Sequence, residues 1–220
     1  WPARINTADR AITGFLPRWV IVSLRDGSLL KQVRQPDLSY IATPLSGSLP
    51  SALRDAMSDL PKSDGQQGFQ GGVIGWIAYD HASQHAVADH VEQLSMPTAC
   101  LAGYDIFLRP EVDKDSVYEL SAPTATLLHQ AHQLLAKTDD AEAFQLESRF
   151  IHLMSPSEYR NAFDRVHDYL LAGDCYQVNL AQGFRAACHG PSWPAFSHLQ
   201  SASRPPYAAF MATPYGDVLS

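Results

Sequence analysis

The sequence predicts an α+β fold in which antiparallel sheets carry attached helices. Apolar runs of strand length are mixed along the chain with segments of helical periodicity. Several of these runs are separated by only a few turn-forming residues, which favours antiparallel pairing over a doubly wound parallel sheet. With 220 residues, of which 45% are hydrophobic, the chain is long enough to bury a core without disulfides or a structural metal.

The first third of the chain predicts a hairpin, a short helix and a glycine-rich strand. The predicted elements are a strand at 19–24, a turn at 25–27, a strand at 29–33, a helix at 51–60 closed by Pro61, a polar loop at 62–68, a buried strand at 69–80 and a weakly periodic helix at 81–94. Gly71, Gly72 and Gly75 fall inside the apolar strand. Glycine weakens a strand, so its presence there indicates a bulge or a close approach of another backbone.

The middle of the chain predicts a second hairpin and a helix. The elements are a strand at 101–108, a turn at 110–115, a partner strand at 116–121, a helix at 124–137 and an acidic, polar linker at 138–145. Five apolar residues of this helix recur on one face, which is typical of an amphipathic helix; they are Leu127, Leu128, Ala131, Leu134 and Leu135.

The last third contains the clearest local signal. Ser155, Pro156 and Glu158 form a capping box with a helix-starting proline. An apolar face at 159, 163, 166 and 170 then predicts a helix that ends at Gly173. The elements that follow are a strand at 176–180, a helix at 193–201, a break at 204–206, a strand at 207–212, a turn at 213–217 and the start of a partner strand at 218–220.

Composition narrows the class of protein. The net charge of −7 and the pI near 5.6 argue against binding to nucleic acid or to an anionic membrane surface. Three cysteines, with no CxxC pair, favour free thiols in a reducing cytoplasm over a disulfide scaffold or a cysteine-rich zinc site. We see no signal peptide and no apolar run of the ~20 residues of a membrane span. We therefore expect a soluble, cytoplasmic protein.

Spacing alone identifies no catalytic group. His81 with His85, and His129 with His132, have helical spacing for a metal pair, but solvated or hydrogen-bonded histidine is the favoured interpretation. The glycine-rich segment could cradle a phosphate, although it does not precede a helix.

Three polar side chains could belong to a ligand site. Gln177 and Asn179 share one strand face, either as the wall of a pocket or on an edge strand facing water. Asp80 is either a site carboxylate or a turn residue.

Three motifs resemble the chorismate-utilising enzymes. Residues 69–80 are similar to the F-x-G-G-x-x-G-x-x-x-Y-D segment of that family, 172–180 to its A-G-D-x-Y-Q-V-N-L segment, and 204–210 to its P-[FY]-x-x-[FY] segment. Their order and spacing agree across nearly the whole chain. Gln-Val-Asn-Leu at 177–180 most resembles the component I family of aminodeoxychorismate synthases, since anthranilate synthases more often read Gln-Val-Val there.

The resemblance implies a large two-sheet β-sandwich with helices outside, incomplete at its C-terminal end. The implied domains are an N-terminal domain of component I type at 1–122, a helix and linker at 123–150, and the beginning of a chorismate-binding domain at 151–220. It implies Mg²⁺-dependent amination of chorismate, with ammonia from a glutamine amidotransferase subunit, in the route to p-aminobenzoate and folate.

The resemblance assigns few functional residues to this chain. Pro206, Tyr207 and Ala208 match the tripeptide that lines the family's aromatic amino-acid pocket, where a tyrosine ring beside a rigid proline could stack on an indole; a proline-started core strand is the alternative. The family's catalytic and metal-binding motifs come later, so we expect no catalytic residue, no Mg²⁺ ligand and no turnover in this chain alone.

Two other functions stay open at this point. One is anthranilate synthase component I, within the same superfamily. The other is a non-catalytic module that binds an amidotransferase subunit or tryptophan.

Overall fold

A computed structural model describes residues 3–6, 11–61, 71–81, 96–110, 118–136 and 143–220. The described strands are β1 (Ala3–Asn6), β2 (Ala11–Gly14), β3 (Trp19–Ser23), β4 (Leu29–Arg34), β5 (Tyr40–Leu45), β6 (Gly72–Ile77), β7 (Ala99–Tyr104), β8 (Phe107–Pro110), β9 (Tyr118–Ser121), β10 (Gln145–Leu146), β11 (Ile151–His152), β12 (Phe184–Arg185), β13 (Cys188–His189), β14 (Ala208–Met211) and β15 (Val218–Leu219). The described helices are α1 (Leu49–Met57), α2 (Ala125–Leu135), α3 (Pro156–Ala172) and α4 (Ser192–Ser203).

The chain divides into two compact units. The first comprises residues 1–139 and 196–220, and the second comprises residues 140–195. The domain boundaries at residues 122 and 150, which follow from the sequence resemblance, stay a prediction.

The first unit is a sandwich of two antiparallel sheets. One sheet has the strand order β15-β14-β1-β2-β8-β9, and the other has the order β5-β4-β3-β7-β6. Residues of both sheets meet in one buried cluster, which includes Val20, Val22 and Cys100 from the five-stranded sheet and Met211 from the six-stranded sheet. The predicted α+β class with antiparallel sheets and outer helices is therefore confirmed.

Helices cover the outer faces of the sandwich. Ala52 and Ala56 of α1 pack with Trp19 and Leu101 of the five-stranded sheet. On the six-stranded sheet, the rings of Phe196 in α4 and Phe210 in β14 lie 5.5 Å apart at a tilt of 44°.

Helix α1 begins two residues before the predicted start. Ser48 accepts a hydrogen bond from the Ser51 backbone, and the Ser51 side chain accepts one from the Ser48 backbone, which closes a capping box. This local bonding fixes the first turn ahead of residue 51.

The predicted strand at 101–108 is wrong, because the chain changes sheets within it. Strand β7 ends at Tyr104 in the five-stranded sheet, and β8 begins at Phe107 in the six-stranded sheet. Asp105 lies at the crossing with no exposed side-chain surface and forms an ion pair with Arg34. The hairpin of β8 with β9 is confirmed.

One prediction about exposure is also wrong. Strand β6, expected to be buried, is the edge of its sheet in the described chain, and Ile77 is 57% exposed. The predicted apolar face of α2 is covered in part: Ala131 is buried and Leu127 packs against its cluster, whereas Leu134 and Leu135 are exposed. Periodicity indicates which residues share a face, but neighbouring elements decide whether that face is covered.

Strands β1 and β2 were absent from the prediction. Strand β1 pairs with β14, with Arg4 opposite Phe210 and Ile5 opposite Ala209. The first residues of the chain therefore share a sheet with the last strands.

The second unit contains α3 and two short strand pairs, β10 with β13 and β11 with β12. The predicted caps of α3 are confirmed at Ser155 and at Gly173, which has a φ of 78°. The predicted strand at 176–180 is wrong, since the described chain offers no neighbouring strand to pair with it.

Several predictions lie wholly or partly outside the described residues. They concern the loop at 62–68, most of the helix at 81–94, most of the turn at 110–115 and most of the linker at 138–145.

Candidate functional site

The tripeptide Pro206–Ala208 connects α4 to β14. Arg204 ends the helix in the left-handed region, with a φ of 45°, while its N–H donates to the Gln200 carbonyl at 2.8 Å. Two prolines follow and prevent the helix from continuing. This local sequence places Tyr207 directly before β14 and Ala208 at its first position.

The members of the tripeptide have different surroundings. Ala208 is buried in a cluster with Phe196 and Phe210, as expected for a residue of a core strand. Tyr207 is 71% exposed. Its ring is therefore available to stack on an aromatic ligand, whereas Ala208 can contribute only backbone and a methyl group.

Arg4 is a neighbour of this site that the sequence did not assign. Its register partner is Phe210, which stands two residues from Ala208 on the same face of β14. Paired residues in an antiparallel ladder point to the same side of the sheet. The pairing of strands distant in sequence therefore brings a guanidinium to the face that carries Ala208.

The glycines of β6 are explained by packing. A Cβ on Gly75 would lie 2.7 Å from the Leu101 Cα and closer still to the Cys100 carbonyl oxygen. Gly71 has a φ of 116°, which disfavours side chains. Close approach of β7 and backbone conformation thus account for both residues without a phosphate ligand.

Gln177 and Asn179 lie on the segment between α3 and β12. Both are exposed, and Gln177 Nε2 donates to Asn179 Oδ1 at 3.4 Å. Their amides are thus open to solvent or to a partner, and do not line a closed pocket.

His81, His129 and His132 each lie within hydrogen-bonding distance of a neighbouring group. His81 Nδ1 lies 3.1 Å from Thr98 Oγ1, His129 Nε2 lies 3.0 Å from Gln133 Nε2, and His132 Nδ1 lies 2.9 Å from the Leu128 carbonyl oxygen. His85 lies outside the described residues. Asp80 belongs to a single 3-10 turn, Tyr79–His81.

The described part of the chain contains no cluster of side chains suited to bind a metal ion. No group of three or more His, Cys, Asp or Glu side chains there could hold an ion. The described residues therefore do not fit a Mg²⁺ site by themselves.

A buried ion cluster stands where the chain crosses between sheets. Arg34 Nη1 and Nη2 donate to the two Asp105 carboxylate oxygens at 3.0 and 3.1 Å, and Arg18 lies 3.6 Å away. Arg34 also donates to the Leu16 carbonyl, and Tyr40 Oη donates to the Pro17 carbonyl at 2.8 Å. Burial raises the pKa of Tyr40. These bonds tie the two sheets together, so the cluster is structural.

The second unit contains an open groove of about 400 Å³ beside α3. It is lined by His152, Pro156, Tyr159, Arg160, Phe163 and Gln182. Gln182 Nε2 lies 2.9 Å from His152 Nδ1 and donates to the Met154 carbonyl at 3.1 Å, which fixes one wall.

The three sequence motifs lie within the range of the chain that matches a protein-family model. A family model described as chorismate binding enzyme matches residues 31–220. The chain belongs to this chorismate binding enzyme family.

Curated relatives within this family share a name. Aminodeoxychorismate synthase component 1 of Klebsiella aerogenes is 37% identical over 160 residues, and that of Escherichia coli K12 is 34% identical over 154 residues. Each match includes 69% of this chain and 34% of the relative. The chain thus spans about a third of the length of these relatives.

A solved structure shares the fold. Anthranilate synthase component I from Streptococcus pneumoniae TIGR4 superposes with a TM-score of 0.70 at 17% identity, over 94% of this chain and 47% of that one. The likeness bears on the fold alone.

Within the described residues, none of the helices has the length and apolar character of a membrane span.

Proposed function

We propose that this chain is part of component I of an aminodeoxychorismate synthase, which aminates chorismate to 4-amino-4-deoxychorismate for p-aminobenzoate and folate synthesis. The observation that carries the proposal is the 37% and 34% identity to relatives of that name. The Gln-Val-Asn-Leu motif at 177–180 supports the same branch of the family.

The partner and the cofactor belong to the proposal for the whole enzyme. A glutamine amidotransferase subunit would supply the ammonia. Mg²⁺ would act as a Lewis acid on the substrate. Since the resemblance matches none of the family's catalytic or metal-binding motifs to residues of this chain, we assign it no Mg²⁺ ligand and no catalytic step.

An aromatic amino-acid site is proposed at Pro206, Tyr207 and Ala208. The exposed ring of Tyr207 supports it, since the ring can stack without displacing packed neighbours. Tryptophan is the ligand that the family resemblance favours.

Product identity tests the proposed function. The native protein that contains these residues should convert chorismate, with ammonia and Mg²⁺, to aminodeoxychorismate. The product is separated by chromatography and detected by its absorbance. The fluorescent product anthranilate would instead place the protein in the anthranilate synthase branch. Absence of any product would refute both enzymatic assignments.

The 220-residue chain tested alone distinguishes its own role from that of the whole enzyme. We expect no turnover from a preparation free of other proteins, and measured amination would contradict this. Saturable tryptophan binding by a native protein without turnover would instead support the non-catalytic module.

A further inference from the structure

Gln182 contacts two groups of the second unit through one amide nitrogen. Its Nε2 donates to the Met154 carbonyl oxygen at 3.1 Å and lies 2.9 Å from His152 Nδ1. Because a carbonyl oxygen can only accept, the Met154 bond fixes the orientation of the Gln182 amide, with its nitrogen towards both partners. The second hydrogen of this nitrogen is thus available to His152.

The same geometry fixes the protonation state of His152. Since Gln182 Nε2 can only donate, His152 Nδ1 must accept, and the ring is neutral with its hydrogen on Nε2. A protonated imidazole carries a hydrogen on both nitrogens, so two donors would then face each other. Turning the Gln182 amide over would restore that bond but would place its oxygen against the Met154 carbonyl oxygen. Only the neutral ring permits both bonds.

These bonds lie where two strands meet the start of a helix. His152 of β11 pairs with Phe184 of β12, and the two rings have their centroids 4.9 Å apart. Met154 directly precedes Ser155, which caps α3. Gln182, which stands two residues before β12, therefore connects the strand pair to the beginning of the helix.

The charged groups around His152 do not favour its protonated form. Arg160 of α3 lines the same groove, and Arg185 belongs to β12. The phenol of Tyr159 also lines the groove and brings no charge at neutral pH. Glu158 caps α3 and is not part of the lining. A proton on His152 would therefore add a second positive charge to a groove whose described lining contains no carboxylate.

We propose that His152 and Gln182 form a pH-sensitive clasp, which ties β11 and β12 to the start of α3 while His152 is neutral and opens when His152 is protonated. An ordinary imidazole changes its charge between about pH 5 and pH 8, so the clasp would act in this range. Opening would free the Gln182 amide and leave one wall of the groove positively charged. The clasp does not depend on the reaction proposed above.

The test is amide exchange of the 220-residue chain, followed by NMR at about pH 7.5 and about pH 5, on either side of the imidazole range. Each rate is divided by the rate of an unstructured chain at the same pH, so that only the protection by structure is compared. The reporter is the Leu153 N–H, which donates to the Gly183 carbonyl at 2.9 Å beside the clasp. We expect its protection to fall at least threefold at the lower pH, with the midpoint of the His152 titration.

Two matched variants make the test specific. His152→Asn removes the titrating ring but keeps an acceptor, because asparagine Oδ1 can occupy the position of histidine Nδ1, and the protection of Leu153 should become independent of pH. His198→Asn changes a histidine of α4, in the first unit, and should leave the pH dependence as it is. Both histidines are exposed, so neither substitution disturbs a packed core.

Three results would overturn the proposal. They are a protection of Leu153 that does not change with pH, a change that persists in His152→Asn, and a change that His198→Asn also removes. The nitrogen-15 shifts of the His152 ring give an independent check. A hydrogen on Nδ1 at about pH 7.5 would exclude the bond from Gln182, and with it the clasp.

Discussion

Neutralising Asp105 should destabilise the first unit severely. Asp105 has no exposed side-chain surface, and the side chain of Arg34, its bidentate partner, is only 6% exposed. Asp105→Asn removes the charge but keeps the size, and leaves a buried guanidinium uncompensated. Breaking one partner of a buried ion pair costs about 3–5 kcal/mol. In a chain of this size, about 2–4 °C per kcal/mol converts that loss to a fall in Tm of roughly 6–20 °C.

The measurement is urea and thermal unfolding followed by tryptophan fluorescence. Trp19, which is 1% exposed in the core of the first unit, reports on the affected sheets. Glu119→Gln is the control, since Glu119 pairs with Arg109 at 2.8 Å but is 50% exposed. Exposed pairs contribute about 0–1 kcal/mol, so the control should change stability little. An Asp105→Asn loss no larger than that of the control would refute the reasoning.

Four further outcomes follow from the structure. Gly75→Ala should cost about 1–3 kcal/mol, because the new methyl meets the β7 backbone; wild-type stability in urea would contradict this. Ser155→Ala should remove a cap that stabilises α3 by about 0.5–2 kcal/mol, so the first amides of the helix should exchange faster. Unchanged exchange at these amides would contradict the prediction. At pH 8, Ellman's reagent should react with the exposed Cys188 in the folded protein, and with the buried Cys100 only after unfolding. Equal reaction rates of the two thiols in the folded protein would contradict this. Tyr207→Ala should weaken tryptophan binding about two- to tenfold in calorimetry, and no binding by wild type would refute the site.

The thiol of Cys100 also sets a direction for the pH dependence of stability. Burial raises its pKa from 9.0 to about 12, because the interior disfavours the thiolate. The folded protein therefore holds this proton more tightly than the unfolded chain does. The stability it contributes is present below pH 9 and is lost as the pH rises from 9 towards 12. Cys100→Ala should reduce the alkaline loss of stability in this range.

The capping box of α3 gives stability the opposite dependence on pH. Hydrogen bonds from the Ser155 side chain and backbone lower the pKa of Glu158. Its contribution to the start of α3 is thus present above the ordinary pKa and is lost as the pH falls below it.

The position of the candidate amino-acid site depends on the sequence around residues 204–208 and on the pairing of β1 with β14. Local sequence ends α4 and starts β14 at Ala208, while the pairing of β1 with β14 adds Arg4 to the same face of the sheet. Deletion of the first residues would therefore remove a neighbour of β14 as well as a strand.

Much of the local structure could be predicted from the sequence. The hairpin of β3 and β4, the capping box of α3 and the left-handed stop at Gly173 all agree with the structure. Each depends on residues within a few positions of one another, so the signal is complete in a short window. The family resemblance rests on such short motifs too.

Tertiary structure alone decided the remaining features. The sheet change at Asp105 depends on Arg34, 71 residues away, and β1 depends on β14, about two hundred residues further along. Sequence periodicity identified the apolar faces of α2 and α3 but not their exposure. The sequence by itself thus determined elements, caps and family motifs, because these depend on neighbours in the chain. Sheet order and the buried ion cluster depend on contacts between distant residues, and only the folded chain decides those.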